Sequence, residues 1–311
     1  MATNNDIPDH YTIQFDSNWR QAVQQTEERF REYMTVRTGV SGKARTHNRV
    51  EKETMNEQTE RLARTAGTEL TTAKRWVYPR PHEKTTYIDE WDADLLGETV
   101  LPQGAAVTAH RHAASRRMDV IAIEGIGGTN YEGSGNDAAP STAALGSANK
   151  VAISFDYDTS GNSALTKDKL IKAKSIFESN EVGGQDNIEN ESLCLALNAN
   201  MLESLLIDDK LTSSDYGEVK ALIQGEIKYF LGFHIFRSEQ LKANAAGNGY
   251  LALAWAKSHV FLDIWKEKGT RMSVRDDLSE AIQIRSKFMA GACRDQEEGV
   301  VEIDCLTLAS A

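Results

Sequence analysis

Residues 211–241, LTSSDYGEVKALIQGEIKYFLGFHIFRSEQL, are the most informative part of this chain. Serines that can cap a helix precede acidic residues and then apolar residues at helical spacing. This pattern predicts an amphipathic helix that ends at Gly225. The hydrophobic run at 230–236, with Gly232 inside it, predicts a strand and a turn. Because the stretch holds no catalytic constellation, its residues are expected to be scaffold.

Three further segments accompany this stretch: residues 116–133 (RRMDVIAIEGIGGTNYEG), 250–257 (YLALAWAK) and 300–305 (VVEIDC). In order and in character, the four segments resemble parts of the major capsid proteins of a group of tailed bacteriophages. The first resembles the end of the family's long spine helix, although it carries a lone Asp119 where an Asp pair is expected and Asn130 where a small residue is expected.

The resemblance implies an α+β chain with the HK97-like major capsid fold, the fold shared by tailed-phage and herpesvirus shells. The implied peripheral domain holds the long spine helix, at about residues 105–126, and the final long hairpin. The four implied parts are an N-terminal arm (1–44), an extended β-hairpin loop (45–88), a peripheral domain (89–190 plus 276–311) and an axial domain (191–275).

The function implied by the resemblance is structural and not enzymatic. Such a subunit self-assembles as hexamers and pentamers into an icosahedral phage head that encloses double-stranded DNA. The expected partners are further copies of the chain, a separate scaffolding protein, a portal and a possible decoration protein. The expected location is the virion, with assembly in the host cytoplasm. Two alternatives stay open: the shell protein of an encapsulin-like cellular compartment, and a soluble enzyme.

Composition agrees with a non-membrane protein of substantial core. The chain has 311 residues, of which 40% are hydrophobic, and no apolar run approaches the roughly 18 residues that span a bilayer. The beginning of the chain has neither a basic region nor an apolar region typical of an export signal, so none is expected. The cysteines Cys194, Cys293 and Cys305 lack metal or redox spacing, which predicts buried free thiols in a reducing cytosol.

Charge is unevenly distributed along the chain. Net charge is −11, yet residues 36–85 carry eleven basic against six acidic residues, whereas residues 151–311 carry seventeen basic against twenty-five acidic ones. The acidic balance argues against a protein that wraps nucleic acid tightly, and it is compatible with a container. A segment of charge +5 on a body of charge −8 suggests subunits that reach onto one another. A solvated basic loop remains the alternative.

The basic segment is also poor in apolar residues. Residues 38–74 cannot build a core of their own. Residues 49–53 and 76–88 flank the segment and predict the two arms of a long hairpin, with Pro79 and Pro81 confining the second arm to a sheet edge. An unstructured loop of more than about thirty residues is uncommon in a compact domain, which favours a functional finger over a mobile loop.

Hydrophobic periodicity predicts the remaining elements. Residues 16–33 predict a helix with one large aromatic residue per turn, a pattern typical of a docking face on this subunit or on a neighbour. The other predicted helices lie at 105–126, 166–179 and 201–207, loops lie at 133–146 and 182–190, and strands lie at 151–157, 193–197, 250–255, 260–265, 272–275, 281–293 and 300–306, the last two joined as a hairpin by the polar turn 294–299.

Residues expected to contact other subunits lie mainly in the segment before residue 88. Trp255 and Trp265 are expected in the core, whereas two other tryptophans sit in polar surroundings that suit an interface anchor. The predicted interface residues are Trp19, Phe30, Arg45, Arg49, Glu51, Trp76 and Tyr78.

The possible chemical motifs are weak, and no catalytic, cofactor or metal residue is predicted. The glycines at 125–128 end a predicted helix, whereas a phosphate-binding loop opens one. His110 and His112 would point to different sides of a helix and have no further ligands nearby. The carboxylates Asp89, Glu90, Asp92 and Asp94 suit a solvated face, although a structural Ca²⁺ or Mg²⁺ remains open.

Overall fold

The structure is a computed structural model that describes residues 21–55, 57–59, 67, 69–89, 91, 103–133, 140–157, 161–182, 192–207 and 229–307. The described residues combine helices with three β-sheets, which confirms the predicted α+β class. None of the described helices is both long and apolar enough to cross a membrane.

Three α-helices and fourteen strands are described. The helices are α1 (Gln103–Gly127), α2 (Lys167–Ser179) and α3 (Ala199–Ile207). The strands are β1 (Thr35–Thr38), β2 (Arg45–Val50), β3 (Thr72–Val77), β4 (Arg80–Ile88), β5 (Asn130–Gly133), β6 (Ser141–Ala143), β7 (Lys150–Val151), β8 (Leu193–Leu197), β9 (Tyr229–Phe230), β10 (Phe233–Arg237), β11 (Gly249–Ala256), β12 (Val260–Arg275), β13 (Ala281–Arg294) and β14 (Val300–Leu306).

The strands form three separate sheets. The first has the order β1-β12-β13-β4, the second β7-β14-β11-β8-β10-β9, and the third β2-β3-β5-β6. β12 and β13 form a long antiparallel hairpin with an irregular register between Ile264 and Gly269. β4 is an edge strand, as Pro79 and Pro81 predict. Proline has no backbone N–H to donate to a neighbouring strand, so it is tolerated where one side of the strand is unpaired.

Helix α1 packs along β13 and joins the sheets into one core. Buried side chains of α1, including Met118, Ile121 and Ile126, belong to the same hydrophobic cluster as Trp255 of the second sheet and Ile264 of the first. Gly125 permits the closest approach, because a Cβ placed there would lie 2.5 Å from the Cβ of Ala292. The glycines at 125–128 therefore serve packing and helix termination, as the sequence predicts.

Helix α2 is held by its cap and by a buried lysine. Thr166 caps the helix by accepting a hydrogen bond from the backbone N–H of Lys169, as predicted. The Nζ of Lys169 is buried and donates to the carbonyls of Ile153, Ser163 and Asp304 at 3.0, 2.7 and 2.8 Å. Burial lowers the pKa of this amine. These bonds fix the helix against β14 and the loop before it.

Most predicted elements are confirmed. Helices α1, α2 and α3 match the predictions at 105–126, 166–179 and 201–207, and Gly232 sits in the predicted turn between β9 and β10 with a φ of +85°. The predicted strands at 193–197, 250–255, 281–293 and 300–306 are also present. The helix predicted within 211–225 and most of the loop predicted at 182–190 lie outside the described residues.

The helix predicted at residues 16–33 is wrong over the part that is described. Residues 21–30 are irregular and only Arg31–Tyr33 form a turn of 3₁₀-helix, whereas residues 1–20 lie outside the described residues. The physical reason is that the backbone N–H groups of Arg29 and Phe30 donate to the side chain of Asp119 on α1. The described aromatic residues, Phe30 and Tyr33, pack on Phe236 and Trp255 of the second sheet.

The hairpin predicted between the last two strands is also wrong. β13 pairs with β12 and β4, whereas β14 pairs with β11 and β7 in another sheet. The turn at 294–299 crosses between sheets because its first residue, Arg294, is completely buried and bonded to backbone carbonyls of α1 and its C-terminal turn. The long hairpin of this fold is instead β12–β13.

Four smaller differences concern element boundaries. The second arm of the hairpin that begins with β2 is β3, not residues 76–88, which mainly form β4. The predictions at 260–265 and 272–275 are parts of one strand, β12. The strand predicted at 151–157 is limited to the short β7, and the loop predicted at 133–146 contains β6. Short polar strands lack the hydrophobic periodicity from which their boundaries and partners could be predicted.

Replacing Gly125 tests the packing of α1 on β13. Gly125→Val should lower the free energy of unfolding by about 3 kcal/mol, because the new side chain overlaps Ala292 and the backbone behind it. Urea unfolding followed by circular dichroism measures this change.

The matched control is Gly104→Ala in the same helix, where a Cβ meets nothing within 4 Å. This variant should be neutral or more stable by up to about 1 kcal/mol. An equally stable Gly125→Val protein would contradict the close packing.

Candidate functional site

The β2–β3 hairpin is the element on which the predicted interface residues converge. We define the hairpin arm as residues 45–77. Its strands pair in antiparallel register from Arg45 opposite Val77 to Val50 opposite Thr72, and the Glu51 N–H donates to the Thr71 carbonyl beyond them at 2.9 Å. β3 also pairs with β5, so the arm starts from a four-stranded sheet.

Two arginines fix the base of the arm to the turn after β13. Nε of the buried Arg75 donates to the Asp295 carbonyl at 2.9 Å, and Nη1 of Arg49 donates to the same carbonyl at 2.6 Å. Both guanidinium groups lie 3.5 Å from carboxylate oxygens of Glu132, and Arg75 lies equally close to Glu297. One backbone carbonyl thus holds both strands of the arm.

A second polar contact connects the arm to β12. Nε2 of His47 lies 2.7 Å from Oδ2 of Asp263, a fully buried carboxylate, and the His47 ring stacks on Phe261 with centroids 4.2 Å apart. Arg45 adds a longer ionic contact of 3.9 Å to Asp263. The base of the arm is consequently attached to the first sheet as well as to the turn at 294–299.

The side chain of Asp295 has a shifted pKa and plays no part in binding the arm. Burial raises the pKa of Asp295, while the nearby positive charge of Arg49 acts to lower it. Its Oδ1 is buried without a hydrogen-bond partner among the described residues. The backbone of Asp295, rather than its side chain, is therefore the part that binds the arm.

A second candidate surface is the N-terminal strap, defined as residues 21–34. Both carboxylate oxygens of Asp119 accept the N–H of Arg29 at 3.1 Å, and Oδ1 also accepts the N–H of Phe30 at 3.3 Å. The side-chain amide of Gln25 donates to the same carboxylate. Burial raises the pKa of Asp119, although these hydrogen bonds act in the opposite direction. The lone Asp119 noted in the sequence is thus the anchor of the strap.

Phe30 lies in the core and is not exposed to other subunits, so its assignment as an interface residue is corrected. Its ring stacks on Trp255 at 5.6 Å between centroids and meets Phe236 edge-on at 5.0 Å. Nε1 of Trp255 donates to the Tyr33 carbonyl at 2.8 Å. An aromatic residue on a polar segment finds its partners here within its own subunit.

The other predicted interface residues lie on or beside the arm, except Trp19, which lies outside the described residues. Glu51 pairs with Arg49 at 2.9 Å and is partly exposed. Trp76 is half-buried, and its Nε1 has no hydrogen-bond partner among the described residues. Tyr78 is 37% exposed and meets Tyr131 edge-on. Whether these residues contact another subunit remains a prediction.

Sequence reasoning missed the apolar residues exposed on the arm. Val50, Met55 and Leu70 are 56%, 102% and 60% exposed. Single apolar residues within a polar, core-poor segment are the signal that could have identified them. It also missed Arg75 and Arg294, because nothing local distinguishes a buried arginine from a solvated one.

The motifs weighed for catalysis or ligand binding have structural roles or stay undecided. His110 is buried between the hydroxyl groups of Thr86 and Ser286. Within the described part of the chain, no group of three or more His, Cys, Asp or Glu residues is arranged to hold a metal ion. Asp89 is described, whereas the neighbouring carboxylates at 90, 92 and 94 lie outside the described residues.

The three cysteines are buried free thiols, as predicted. Burial raises the pKa of Cys194 to about 11 and that of Cys305 to about 12, and it also raises the pKa of Cys293. Thiols that stay protonated at neutral pH are poor nucleophiles.

Comparison with known proteins identifies a consistent set of relatives. Residues 7–307 match a family model described as phage capsid protein. Among curated proteins, none matches the chain. Among solved structures, the cyanophage Pam1 capsid asymmetric unit has a TM-score of 0.70 at 13% identity and covers 100% of both chains. The capsid of cyanophage P-SCSP1u has a TM-score of 0.65 at 15% identity, covering 96% of this chain and 94% of its own. A structure from Mycobacterium phage Che8 has a TM-score of 0.62 at 17% identity, covering 97% and 98%.

Replacing Arg75 tests the attachment of the arm. Arg75→Met should lower the free energy of unfolding by about 3 kcal/mol, because it leaves the Asp295 carbonyl with one donor fewer and Glu132 and Glu297 without this cation. Urea unfolding provides the measurement.

The control for this change is Lys52→Met on the same arm, which removes an exposed contact with Glu181. Solvent screens exposed ion pairs, so this variant should unfold at nearly the same urea concentration as the wild type. Equal effects of the two substitutions would show that burial of the Arg75 contacts is unimportant.

Replacing Asp119 tests the strap. Asp119→Ala should increase hydrogen exchange at the Arg29 and Phe30 amides, since both lose their acceptor. The loss of stability should be about 2–4 kcal/mol. Asp119→Asn keeps one acceptor oxygen and should lie between the two proteins. Unchanged exchange in Asp119→Ala would contradict the anchoring role.

The difference in stability between wild type and Asp119→Ala should also depend on pH. Because the folded pKa of Asp119 lies above its unfolded value of about 4, the stabilisation from this group is complete at lower pH and decreases as pH rises through the folded pKa. The stability difference between wild type and Asp119→Ala should therefore shrink from pH 4 to pH 7.

Proposed function

We propose that this chain, which belongs to the phage capsid protein family and has a structural role in a capsid rather than an enzymatic one, self-assembles into an icosahedral head. Its described fold is the HK97-like capsid fold of its structural neighbours. In the proposed head, hexamers and pentamers of the chain enclose double-stranded DNA without recognising its sequence. The virion is the location of the protein, and we propose assembly in the host cytoplasm.

The observation that carries the proposal is an arm that is fixed at its base and carries exposed apolar side chains beyond it. Arg49, Arg75 and His47 attach the base through contacts of 2.6–2.9 Å. Beyond the base, Met55 and Leu70 make little contact with their own subunit. Exposed apolar side chains on an oriented support are expected where another protein surface covers them.

Charge supports contact between copies of the chain. The arm lies in the segment of net charge +5, and residues 151–311 carry −8. The arm itself is only slightly basic, with seven basic against five acidic residues at 45–77, so attraction to the acidic body of a neighbour comes mainly from the residues that flank it in this segment. An acidic chain avoids tight binding to DNA. Many weak contacts of this kind become collectively strong when a shell closes, and they allow misplaced subunits to dissociate during assembly.

The proposed division has an N-terminal arm at 1–44, an extended loop at 45–88 that contains the hairpin arm, a peripheral domain at 89–190 plus 276–311 and an axial domain at 191–275. β12 ends at the proposed boundary and pairs along most of its length with β13, so the two domains would share a sheet. A scaffolding protein, a portal and a decoration protein remain proposed partners.

Deleting residues 54–70 tests the function of the arm. The subunit should fold, because the paired strands β2 and β3 and the Glu51–Thr71 bond remain and little apolar material is lost. Closed shells should not form. Circular dichroism measures folding, and electron microscopy of the purified protein measures shells against the wild type.

A second variant distinguishes the length of the loop from the side chains that it carries. Replacing residues 54–70 with a Gly/Ser linker of equal length keeps the reach but removes Met55 and Leu70. This variant should also fail to close shells. Complete capsids from either variant would refute the role of the arm, and a wild-type protein that stays near 34.4 kDa at high concentration would refute assembly itself.

A further inference from the structure

A cavity lies between α1 and the β13–β4 part of the first sheet. Its volume is about 180 Å³, and its floor includes Ala113, Ala114, Phe288 and the ring of His82. His82 stacks on Phe288 with centroids 5.2 Å apart. An apolar cavity of about 150 Å³ holds a molecule as large as benzene, so this one has room for an aliphatic side chain.

The rim of this cavity is basic. Its charged residues include Lys84, Arg111, Arg117 and Lys287, and within the described part of the chain no carboxylate lies within 4 Å of any of them. In contrast, Glu83 is paired with Arg285, and Lys268 with Glu28. The cations Lys266 and Arg285 also lower the pKa of Lys287, which reflects crowded positive charge.

Arg117 orients the floor of the cavity. Its Nε donates to Nε2 of His82 at 2.9 Å, while Nδ1 of His82 lies 3.0 Å from the Arg80 carbonyl. This arrangement requires a neutral His82 whose Nδ1 carries the proton. The floor therefore stays apolar and uncharged below a positive rim, a combination that suits an apolar side chain flanked by carboxylates.

The tip of the β12–β13 hairpin has the complementary chemistry. Leu278 is 43% exposed, and it is flanked by the exposed carboxylates of Asp276 and Glu280. The carboxylate of Asp277 is also exposed, but it is paired with Arg275 at 2.6 Å. Ser279 and Glu280 have φ values of +48° and +57°. These positive values close the hairpin loop between Arg275 and Ala281, which places Leu278 and the carboxylates at its end.

The tip cannot reach the cavity of its own subunit. Lys287 at the rim is six steps along the extended strand from Ala281 at the tip, a distance of about 20 Å at about 3.4 Å per step. Both strands are held in continuous antiparallel pairing over this length. The cavity of the same subunit is therefore out of reach of the tip.

We infer that the β12–β13 tip of one copy inserts Leu278 into this cavity of a second copy, with its carboxylates against the basic rim. The inference rests on the proposed assembly and names one of its contacts. Because the two surfaces differ, the contact is heterologous and can link successive copies around a closed ring. DNA phosphates would match the rim, but they offer no apolar group for the floor.

Charge reversal tests the contact. Asp276→Lys and Arg111→Glu should each lower the fraction of protein in shells about tenfold, equivalent to about 1.4 kcal/mol per contact. The double variant restores opposite charges and should return to within about twofold of wild type. Lys242→Glu, which reverses an exposed charge away from the cavity, is the control and should assemble normally.

Cysteine cross-linking gives the decisive result. Leu278→Cys combined with Ala114→Cys should form disulfide-linked oligomers in assembled particles, and the buried native thiols should contribute little background. Normal shells without these disulfides would overturn the inference and leave the proposed function intact. A normal number of Arg111→Glu shells with less DNA would assign the rim to DNA and also overturn it. Failure of the wild type to form shells would remove the proposed function and the inference together.

Discussion

The buried guanidinium of Arg294 is the interaction on which the arrangement of this subunit depends. It donates to the carbonyls of Ile126 and Gly128, which the end of α1 leaves without partners, and to the Ala143 carbonyl of β6 at 3.0 Å. Burial lowers its pKa, and Glu297 at 3.6 Å opposes that effect. One side chain thus joins the spine helix, the end of β13 and the third sheet, and it directs the next residue, Asp295, toward the arm.

Elements with strong local periodicity were predictable from the sequence, and pairings between distant segments were not. α1 and α2 follow from apolar spacing and, for α2, from the Thr166 cap, because these signals lie within the element itself. The hairpin predicted around residues 294–299 is not formed, although a polar turn between two apolar strands is the usual local pattern of a hairpin. It fails because Arg294 donates hydrogen bonds to carbonyls about 150 residues or more away along the chain.

The candidate site was predictable in its location but not in its contacts. Composition places Arg45, Arg49 and Glu51 in a core-poor segment and Trp76 and Tyr78 directly after it, and the structure brings them together on or beside the arm. Phe30 has the same surroundings in sequence yet is buried, since its partners Phe236 and Trp255 come from distant strands. The carbonyl that holds the arm is 220 residues from Arg75, and no sequence pattern marks a backbone acceptor.

The polar network at the base of the arm is better explained by orientation than by stability. Buried ion pairs contribute little net stability, because desolvation of the charges offsets much of their attraction. The network here even leaves Oδ1 of Asp263 and Oδ1 of Asp295 without hydrogen-bond partners among the described residues. Directional bonds from three side chains to fixed acceptors do, however, restrict the angle at which the arm leaves the subunit. This restriction is what the proposed docking on a neighbour requires, because it presents Met55 and Leu70 in one direction.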